Sequence, residues 1–246
     1  MNDLVQSIRE RYLQTLDRIA VAARSVNRNP DDVKLVVVTK TQPLDVVQAA
    51  VEAGARILGE NYPEEGVMKI QSMAGQIGVE WHMIGHVQSR KANLAAEYFD
   101  LVHSLDSLKL AERLDRFAGE FERTLPVLLE FNVGGEQSKS GWNMTDVTKL
   151  DALMPELETL LALPHLQVRG LMTMPPLGEN PESARMYFQK LALLRNILAK
   201  RFPQADWSAL SMGTSSDYET AIQEGATMVR IGTAIIGARQ YKTEMQ

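Results

Sequence analysis

The 246-residue chain contains no cysteine. Disulfides, thiol nucleophiles and thiolate metal sites are therefore excluded. No apolar segment approaches the ~18 residues that a membrane span requires. The N-terminal segment carries early acidic residues and lacks a continuous apolar core, so it does not resemble a signal peptide. We therefore expect a cytoplasmic protein without a membrane partner.

Positive charge is also scarce, since 26 lysines and arginines stand against 31 acidic residues and give a net charge of −5. A general nucleic-acid surface needs clustered positive charge, so no nucleic-acid partner is expected. A hydrophobic content of 45% and a charged content of 23% are typical of an ordinary globular protein. The length suits one barrel, and no linker, repeat or low-complexity tract divides the chain, which predicts a single domain over residues 1–246.

Short apolar runs and helical segments alternate along the chain, and eight strands, each followed by a helix, predict an α/β fold of the (β/α)8 TIM-barrel type. The predicted strands are Lys34–Thr39, Ile57–Gly59, Trp81–Gly85, Leu101–Ser104, Val127–Val133, Gln167–Met172, Ala209–Met212 and Met228–Ile231. The predicted helices include Leu44–Ala53, Tyr62–Met73, Leu108–Phe121, Val147–Leu161, Pro181–Arg201 and Ser216–Glu224.

An extra helix precedes the first strand. Its apolar stripe comprises Leu4, Ile8, Tyr12, Leu16 and Ile19. The helical spacing of this stripe predicts an amphipathic helix that covers the bottom or the side of the barrel.

Polar residues at strand ends predict where some helices begin. Ser107 follows a strand and suits a helix N-cap. Ser216 and Glu219 have the spacing of a capping box, which predicts the start of a later helix.

Lys40 closes the apolar run Leu35–Thr39, which is typical of a strand buried on both faces. A barrel enzyme keeps its chemistry at the carboxyl ends of its strands, where Lys40 is expected. A desolvated lysine amine can form an imine with an aldehyde. The alternative is a lysine that ends the strand and extends its amine to water.

Two small-residue segments near the end of the chain predict an anion site. Gly232-Thr233 ends the eighth strand, and residues 211–217, with Ser215, end the seventh strand and open a helix. TIM barrels often bind phosphate with the loops after these two strands, where backbone amides and a helix N-terminus face the anion. Glycine-rich turns and serine caps are also common without any ligand, so the prediction depends on both segments occurring together with Lys40.

Arg230 lies two residues before Gly232 and shares a strand face with it. If that face lines the barrel, the guanidinium points towards the predicted phosphate site. A guanidinium stays protonated, so it can donate to a ring nitrogen but hardly protonate it. The alternative is a wall arginine that pairs with a carboxylate.

Other polar residues are weaker candidates. Asn61 follows the second strand and either contacts a ligand or caps the next helix. His82 and His86 are four apart but on a strand and its loop, so no metal site is expected. Lys139, in a polar loop, is either a second ligand contact or a solvated lysine. Met172 and Met174 are expected to pack the barrel mouth, where flexible thioethers fill irregular gaps.

The chain resembles the pyridoxal phosphate homeostasis protein family in eight segments that follow one another from residue 35 to residue 239. These segments are VVVTKTQP, GARILGENY, WHMIGHVQSRK, DLVHSLDS, GGEQSKSGW, RGLMTM, LSMGTSSDYETAI and GATMVRIGTAIIGAR. The family's fold is similar to the barrel domain of alanine racemase, which is fold-type III of the pyridoxal 5'-phosphate (PLP) proteins. The resemblance therefore implies a PLP-binding protein with that barrel.

The resemblance also implies roles for individual residues. Lys40 would form the internal aldimine with PLP, and Arg230 would face the pyridine nitrogen. Ser215, Gly232 and Thr233 would hold the phosphate, Asn61 would lie near the cofactor, and Met212 and Gly213 belong to the motif that lines its site. Thr214 stands where the family commonly has methionine, which changes the local packing. The resemblance assigns neither a catalytic residue nor a metal.

Alanine racemases have a second, β-rich domain that supplies a catalytic tyrosine across a dimer interface, whereas only residues 240–246 follow the last matching segment. We therefore expect a monomeric PLP carrier without evident turnover, which maintains PLP supply and for which PLP-dependent apo-enzymes are candidate recipients. The alternatives are a monomeric PLP-dependent amino-acid racemase or lyase, and a Schiff-base aldolase that uses Lys40 on a sugar phosphate.

Overall fold

The computed structural model describes residues 3–75, 77–176, 178 and 180–237. The strands are β1 Lys34–Val38, β2 Ile57–Glu60, β3 Glu80–Met83, β4 Leu101–Leu105, β5 Leu125–Asn132, β6 Trp142–Asn143, β7 Leu166–Met172, β8 Ala209–Ser211 and β9 Met228–Ile231. The α-helices are α1 Asp3–Ser25, α2 Leu44–Ala53, α3 Pro63–Ser72, α4 Ala92–Tyr98, α5 Leu108–Glu120, α6 Met154–Leu161, α7 Arg185–Arg201, α8 Tyr218–Gln223 and α9 Thr233–Ile236.

Eight of the strands form a closed parallel barrel, as the alternation of strands and helices predicts. The order is β4-β3-β2-β1-β9-β8-β7-β5, and β4 also pairs with β5. The first and last barrel strands pair in parallel with Val37 opposite Ile231. This closure leaves no free edge and brings the carboxyl ends of all eight strands to one rim. The short strand β6 pairs with the end of β5 outside the barrel.

Two apolar clusters fill the molecule. The larger cluster lies between the strands and the surrounding helices and contains fully buried Val37, Leu129 and Leu210. The smaller cluster is Leu101, Leu128, Met172, Ala209 and Met228. Its members come from strands on opposite sides of the barrel, so they meet inside it, and the interior is a packed core.

Helix α1 covers the side of the barrel. It packs against α2, α8 and α9. Ile8 and Ile19 of the predicted stripe are buried, and the other three members are half-buried. Arg11, which flanks the apolar stripe, donates from Nε to the carbonyl oxygen of Ile235 at 2.5 Å. The helix is therefore attached to α9.

Several predicted boundaries differ from the structure. Strand β1 ends at Val38, because the chain turns at residues 40 and 41. The predicted helix over residues 147–161 begins with a 3-10 segment, as does the one over residues 181–201. Strand β6 is an addition to the predicted elements.

One helix cap is confirmed and another prediction is wrong. Ser107 caps α5 and accepts a hydrogen bond from the amide of Leu110. The capping box of Ser216 and Glu219 is wrong, because α8 begins after Asp217 and the Glu219 carboxylate pairs with Arg18 at 2.6 Å.

Residues 1, 2 and 238–246, which include the start of the predicted first helix and the end of the last matching segment, lie outside the described residues. Among the helices that the structure describes, none is both long enough and apolar enough to cross a membrane.

Candidate functional site

A cavity of about 800 Å³ opens at the carboxyl ends of the barrel strands. Six of the predicted site residues line it, namely Lys40, Asn61, Ser215, Arg230, Gly232 and Thr233. They come from loops after β1, β2, β8 and β9 and from the interior face of β9. The closed barrel therefore brings together residues that are up to 193 positions apart in the chain.

Lys40 lies two residues beyond the end of β1 and is half-buried at the cavity wall. Backbone hydrogen bonds fix the turn that carries Lys40 on both sides of this residue. Thr39 donates its amide to the carbonyl oxygen of Gly59 at 3.0 Å, and Gln42 donates its amide to the carbonyl oxygen of Thr39 at 3.1 Å. The lysine side chain therefore starts from a defined backbone position.

Met212 and Gly213, which were predicted to belong to the site, are not among the cavity-lining residues. Met212 is fully buried in the core between the barrel and the helices. Gly213 has φ +94, and a Cβ there would lie 2.9 Å from the Tyr218 Cα. Its carbonyl oxygen accepts from the amide of Arg230 at 3.0 Å. These two residues therefore do not line the cavity but support the backbone next to it.

The loops after β8 and β9 form the predicted anion end of the cavity. Ser215 and Thr233 are both exposed at its surface. Residues 214–217 form a turn before α8, closed by the amide of Thr214, which donates to Asp217 Oδ1 at 2.6 Å. A Cβ on Gly232 would lie 3.2 Å from the carbonyl oxygen of Val38, so glycine lets this loop approach β1 closely.

Arg230 is buried in the barrel interior, two residues after the interior residue Met228. It donates from Nη1 to Ser211 Oγ, and from Nη2 to the carbonyl oxygen of Thr173 at 3.0 Å and to Met174 Sδ at 2.9 Å. Burial lowers the pKa of Arg230 to about 10, although the nearby carboxyl groups of Glu130 and Asp217 oppose this shift. The guanidinium therefore remains a charged donor at neutral pH.

A polar column continues from Arg230 through the barrel. His103 Nδ1 lies 2.8 Å from Ser211 Oγ, and His103 Nε2 lies 3.0 Å from His82 Nδ1. Burial, with the charges of His82 and Arg230, holds the pKa of His103 well below its usual range. A neutral His103 therefore bridges the column. Among the described residues, no group of three or more His, Cys, Asp or Glu residues is arranged to hold a metal ion.

Met172 and Met174 take different positions at the barrel mouth. Met172 is buried in the interior cluster, as predicted, whereas Met174 is 37% exposed and reaches the guanidinium of Arg230. Both line the cavity. The second methionine therefore contacts a functional side chain as well as filling space.

Glu130 lines the cavity and was missed by the sequence analysis. It lies two residues after the interior residue Leu128, so it points into the barrel, and it is only 7% exposed. Burial, with Asp106 nearby, raises the pKa of Glu130 to about 7, against the opposing charges of Arg230 and Lys139. Within the part of the chain that the structure describes, its carboxyl group has no hydrogen-bond partner or ion pair.

His86 and Asp106 form a second pair of titratable groups at the cavity. His86 Nδ1 lies 2.8 Å from Asp106 Oδ2 and 3.3 Å from Ser140 Oγ. His86 and Ser140 both line the cavity, and so does Lys139, whose Nζ lies 3.9 Å from Glu136 Oε2. The positions of His86 and Asp106, just after β3 and β4, are the sequence signal that would have found them.

A second cavity, of about 790 Å³, lies at the amino ends of the strands. It is lined by charged side chains such as Arg28, Lys34 and Arg169. Two of these already have partners, since Arg169 pairs with Asp206 at 3.0 Å and Arg28 donates to backbone carbonyl oxygens. The first cavity contains Lys40 and Glu130, whose carboxyl group has no hydrogen-bond partner among the described residues, and is therefore the candidate functional site.

Comparison with known proteins identifies the family of the chain. Residues 15–240 match the family model described as the alanine racemase N-terminal domain. The chain is 41% identical over 240 residues to the pyridoxal phosphate homeostasis protein of Vibrio alginolyticus, covering 96% of this chain and 100% of that protein. It is 40% identical to the protein of the same name from Escherichia coli K12, covering 98% and 99% of the two chains.

A solved structure of similar length gives the same result. PipY of Synechococcus elongatus, with PLP bound, superposes with a TM-score of 0.78 at 36% sequence identity, and the match covers 94% of this chain and 100% of that chain. The family model and these relatives span most of the chain. The chain therefore belongs to the alanine racemase N-terminal domain family and, within it, to the pyridoxal phosphate homeostasis proteins.

Proposed function

We propose that this chain binds PLP covalently through Lys40 Nζ and acts in PLP homeostasis as a carrier. The observation that carries the proposal is the cavity in which Lys40, Arg230, Ser215 and Thr233 converge. The names and the bound PLP of the relatives support the same ligand. When bound, PLP supplies an aldehyde that reacts with amines and a pyridine ring that withdraws electrons.

The residues present fit this cofactor. Lys40 supplies an amine that can react with the aldehyde, and the hydroxyls of Ser215 and Thr233 can donate to a phosphate. Gly232 leaves room for backbone amides to approach that phosphate, because a side chain there would crowd Val38. Asn61 contributes an amide group to the same cavity wall. These roles are assigned by the proposal.

Arg230 supports a carrier role over a catalytic one. Its guanidinium stays charged at neutral pH, so it can donate a hydrogen bond to a ring nitrogen without transferring a proton. An unprotonated ring withdraws electrons less strongly than a protonated one, which weakens stabilisation of a carbanion. A covalent link to a lysine is reversible, so an amine on a recipient such as a PLP-dependent apo-enzyme can take the cofactor.

A second candidate function is a PLP-dependent racemase or lyase of narrow substrate range. Two features favour it, namely the buried acid Glu130 and His86, which both line the cavity with Lys40, and His86 is paired with Asp106. Proton transfer needs such groups near the reacting atom. Steady turnover of an amino acid that depends on Lys40 would establish this alternative.

The test is the near-visible absorbance of the purified protein with PLP, followed by borohydride reduction and peptide mass mapping. We expect a pyridoxyl adduct on Lys40 in the wild type and none in Lys40→Ala. The matched control is Lys139→Ala, which removes another cavity lysine and should retain the adduct on Lys40. No adduct in the wild type, or an equal yield of adduct in Lys40→Ala, would contradict the proposal.

A further inference from the structure

The backbone on both sides of Lys40 is held by one cluster, the Lys69 cluster, which consists of buried Thr39, Glu60 and Lys69 and of half-buried Glu65. Lys69 Nζ donates to the carbonyl oxygen of Thr39 at 2.7 Å, to Glu60 Oε1 at 2.8 Å and to Glu65 Oε1 at 2.6 Å. Thr39 Oγ1 also donates to Glu60 Oε1 at 2.6 Å. All three donors of one ammonium group are therefore used next to Lys40.

The same cluster reaches the residue after Lys40. The amide of Thr41 donates to Glu65 Oε1 at 2.6 Å, the oxygen that also accepts from Lys69. The backbone is thus held on both sides of Lys40, because Lys69 binds the carbonyl of Thr39 and Glu65 binds the amide of Thr41. The two holding residues lie on α3, which is not the element that follows Lys40 in the chain.

This cluster is costly to bury. The side chains of Lys69 and Glu60 are 7% and 0% exposed. Burial raises the pKa of Glu60 despite the opposing charge of Lys69, and Glu60 Oε2 has no hydrogen-bond partner among the described residues. A buried ion pair is often no more stabilising than apolar residues of the same volume. Stability alone therefore does not account for the cluster.

The backbone at the site is strained as well. Thr41 has φ +60, in the left-handed region. A β-branched residue rarely adopts this conformation, and it persists where the surroundings hold it in place. The hydrogen bond from the Thr41 amide to Glu65 supplies such a restraint. Relaxation of Thr41 would turn the neighbouring Lys40 away from its present direction.

We propose that Lys69 and Glu65 are positioning residues that hold the Lys40 turn in the conformation that presents its amine to the cavity. The inference deepens the proposed function and rests on Lys40 being the attachment point. Neither residue touches the cofactor in this role. They act through the carbonyl of Thr39 and the amide of Thr41.

The experiment compares two neighbouring carboxylates on α3. Glu65→Ala removes the contact to Thr41 but leaves Lys69 paired with Glu60 and Thr39. Glu64→Ala is the matched control, because Glu64 pairs with the partly exposed Lys91 and lies in the same first helical turn. We expect the PLP dissociation constant to rise about tenfold in Glu65→Ala, as for loss of a charge-assisted hydrogen bond, and to stay unchanged in Glu64→Ala.

Two further measurements do not use PLP. Hydrogen exchange at the amide of Thr41 should accelerate in Glu65→Ala and return towards the wild-type rate in Glu65→Gln, which keeps an oxygen acceptor. The rate at which acetic anhydride labels Lys40 in the apo protein should change in Glu65→Ala, while labelling of Lys139 should not. A structural role alone would change thermal stability and leave the labelling ratio of the two lysines constant.

The outcomes separate the two proposals. If the wild type forms no adduct on Lys40, the proposed function fails, and labelling with acetic anhydride still decides whether the cluster positions the lysine. If the wild type forms the adduct and Glu65→Ala matches it in affinity, exchange and labelling, the positioning role is overturned. Equal loss of affinity in Glu64→Ala and Glu65→Ala would also overturn it.

Discussion

Buried charges flank the cavity on two sides, and their partners differ. Beside β1 and β2, Lys69 contacts two carboxylates directly at 2.8 and 2.6 Å. Beside β5 and β9, Arg230 is held by neutral acceptors and Glu130 has no partner among the described residues. The first group is compensated within the protein and fixes a backbone. The second group lacks a direct ion pair of this kind within the described part of the chain, and in the proposed function it is the group that faces the ligand.

The largest expected effect comes from breaking the compensated side. Lys69→Met leaves buried Glu60 and half-buried Glu65 without their cation, and we expect a loss of about 3–5 kcal/mol in the free energy of unfolding. Urea unfolding measures this change. Lys91→Met removes a partly exposed partner of Glu64 and should cost at most about 1 kcal/mol. Equal losses in the two variants would show that burial of Lys69 has no special role.

The contribution of Glu130 to the free energy of unfolding should depend on pH. The folded-state pKa of Glu130 is raised to about 7, so between its ordinary range and pH 7 the folded protein holds a proton that the unfolded chain has lost. This contribution to stability is present at acid pH and is lost as pH rises through 7, at roughly 1.4 kcal/mol per pH unit within the window.

Glu130→Gln should remove that slope, because the amide cannot titrate. The check is the free energy of unfolding at several pH values from acid to neutral, compared between the wild type and the variant. At neutral pH the variant should be the more stable protein, since it no longer buries a charge. If the slope of unfolding free energy against pH were the same in both proteins, another titratable group would be responsible for it.

A variant in the polar column of Ser211, His103 and His82 tests whether this column holds Arg230 in place. His103→Phe leaves Ser211 and His82 without their shared partner, which we expect to cost about 1–3 kcal/mol of stability. It should also weaken PLP binding, because Ser211 orients the guanidinium of Arg230. Urea unfolding and a PLP titration measure the two effects. Unchanged PLP affinity with reduced stability would limit the column to a structural role.

Thr214 should show the smallest effect. Its Oγ1 donates to Asp217 Oδ1 at 3.1 Å, and its amide makes a second bond to the same oxygen at 2.6 Å. Thr214→Met, which restores the residue common in the resembled family, removes the first bond and a 3.5 Å contact of the same hydroxyl with Ser216 Oγ, but keeps the amide bond. We expect a change of less than about 1 kcal/mol in unfolding free energy and little change in PLP affinity. A large loss would show that this turn depends on the hydroxyl.

The barrel and the predicted ligand loops follow from local sequence signals. Strands buried on both faces produce continuous apolar runs, and the small residues at Gly232 and Ser215 mark the ends where the chain must turn. Closure of the barrel then brings Lys40 and Arg230 to one cavity, as predicted. The assignment of these residues to PLP stays a prediction that the adduct experiment tests.

The sequence analysis missed Glu130 and Lys69 because the residues around them in the chain do not indicate where their side chains lie. Glu130 lies inside an apolar strand, and only the barrel register shows that it points inward beyond Leu128. Lys69 lies on a helix with polar neighbours and looks like a surface lysine, yet it is 6% exposed because α3 packs over the Lys40 turn. Contacts between residues that are 30 positions apart leave no local pattern in the sequence.

The hydrogen bond between Arg11 of α1 and Ile235 joins the first helix of the described chain to its last helix, α9. Arg18, two turns further on and on the same face, joins the same helix to α8 through Glu219. Fraying of α1 would therefore loosen both loops that border the proposed phosphate end. During synthesis, the contacts of α1 with α8 and α9 can be completed only after the last strand, β9, has been made. The ligand cavity would therefore be completed late in folding, although α1 is the first helix to be translated.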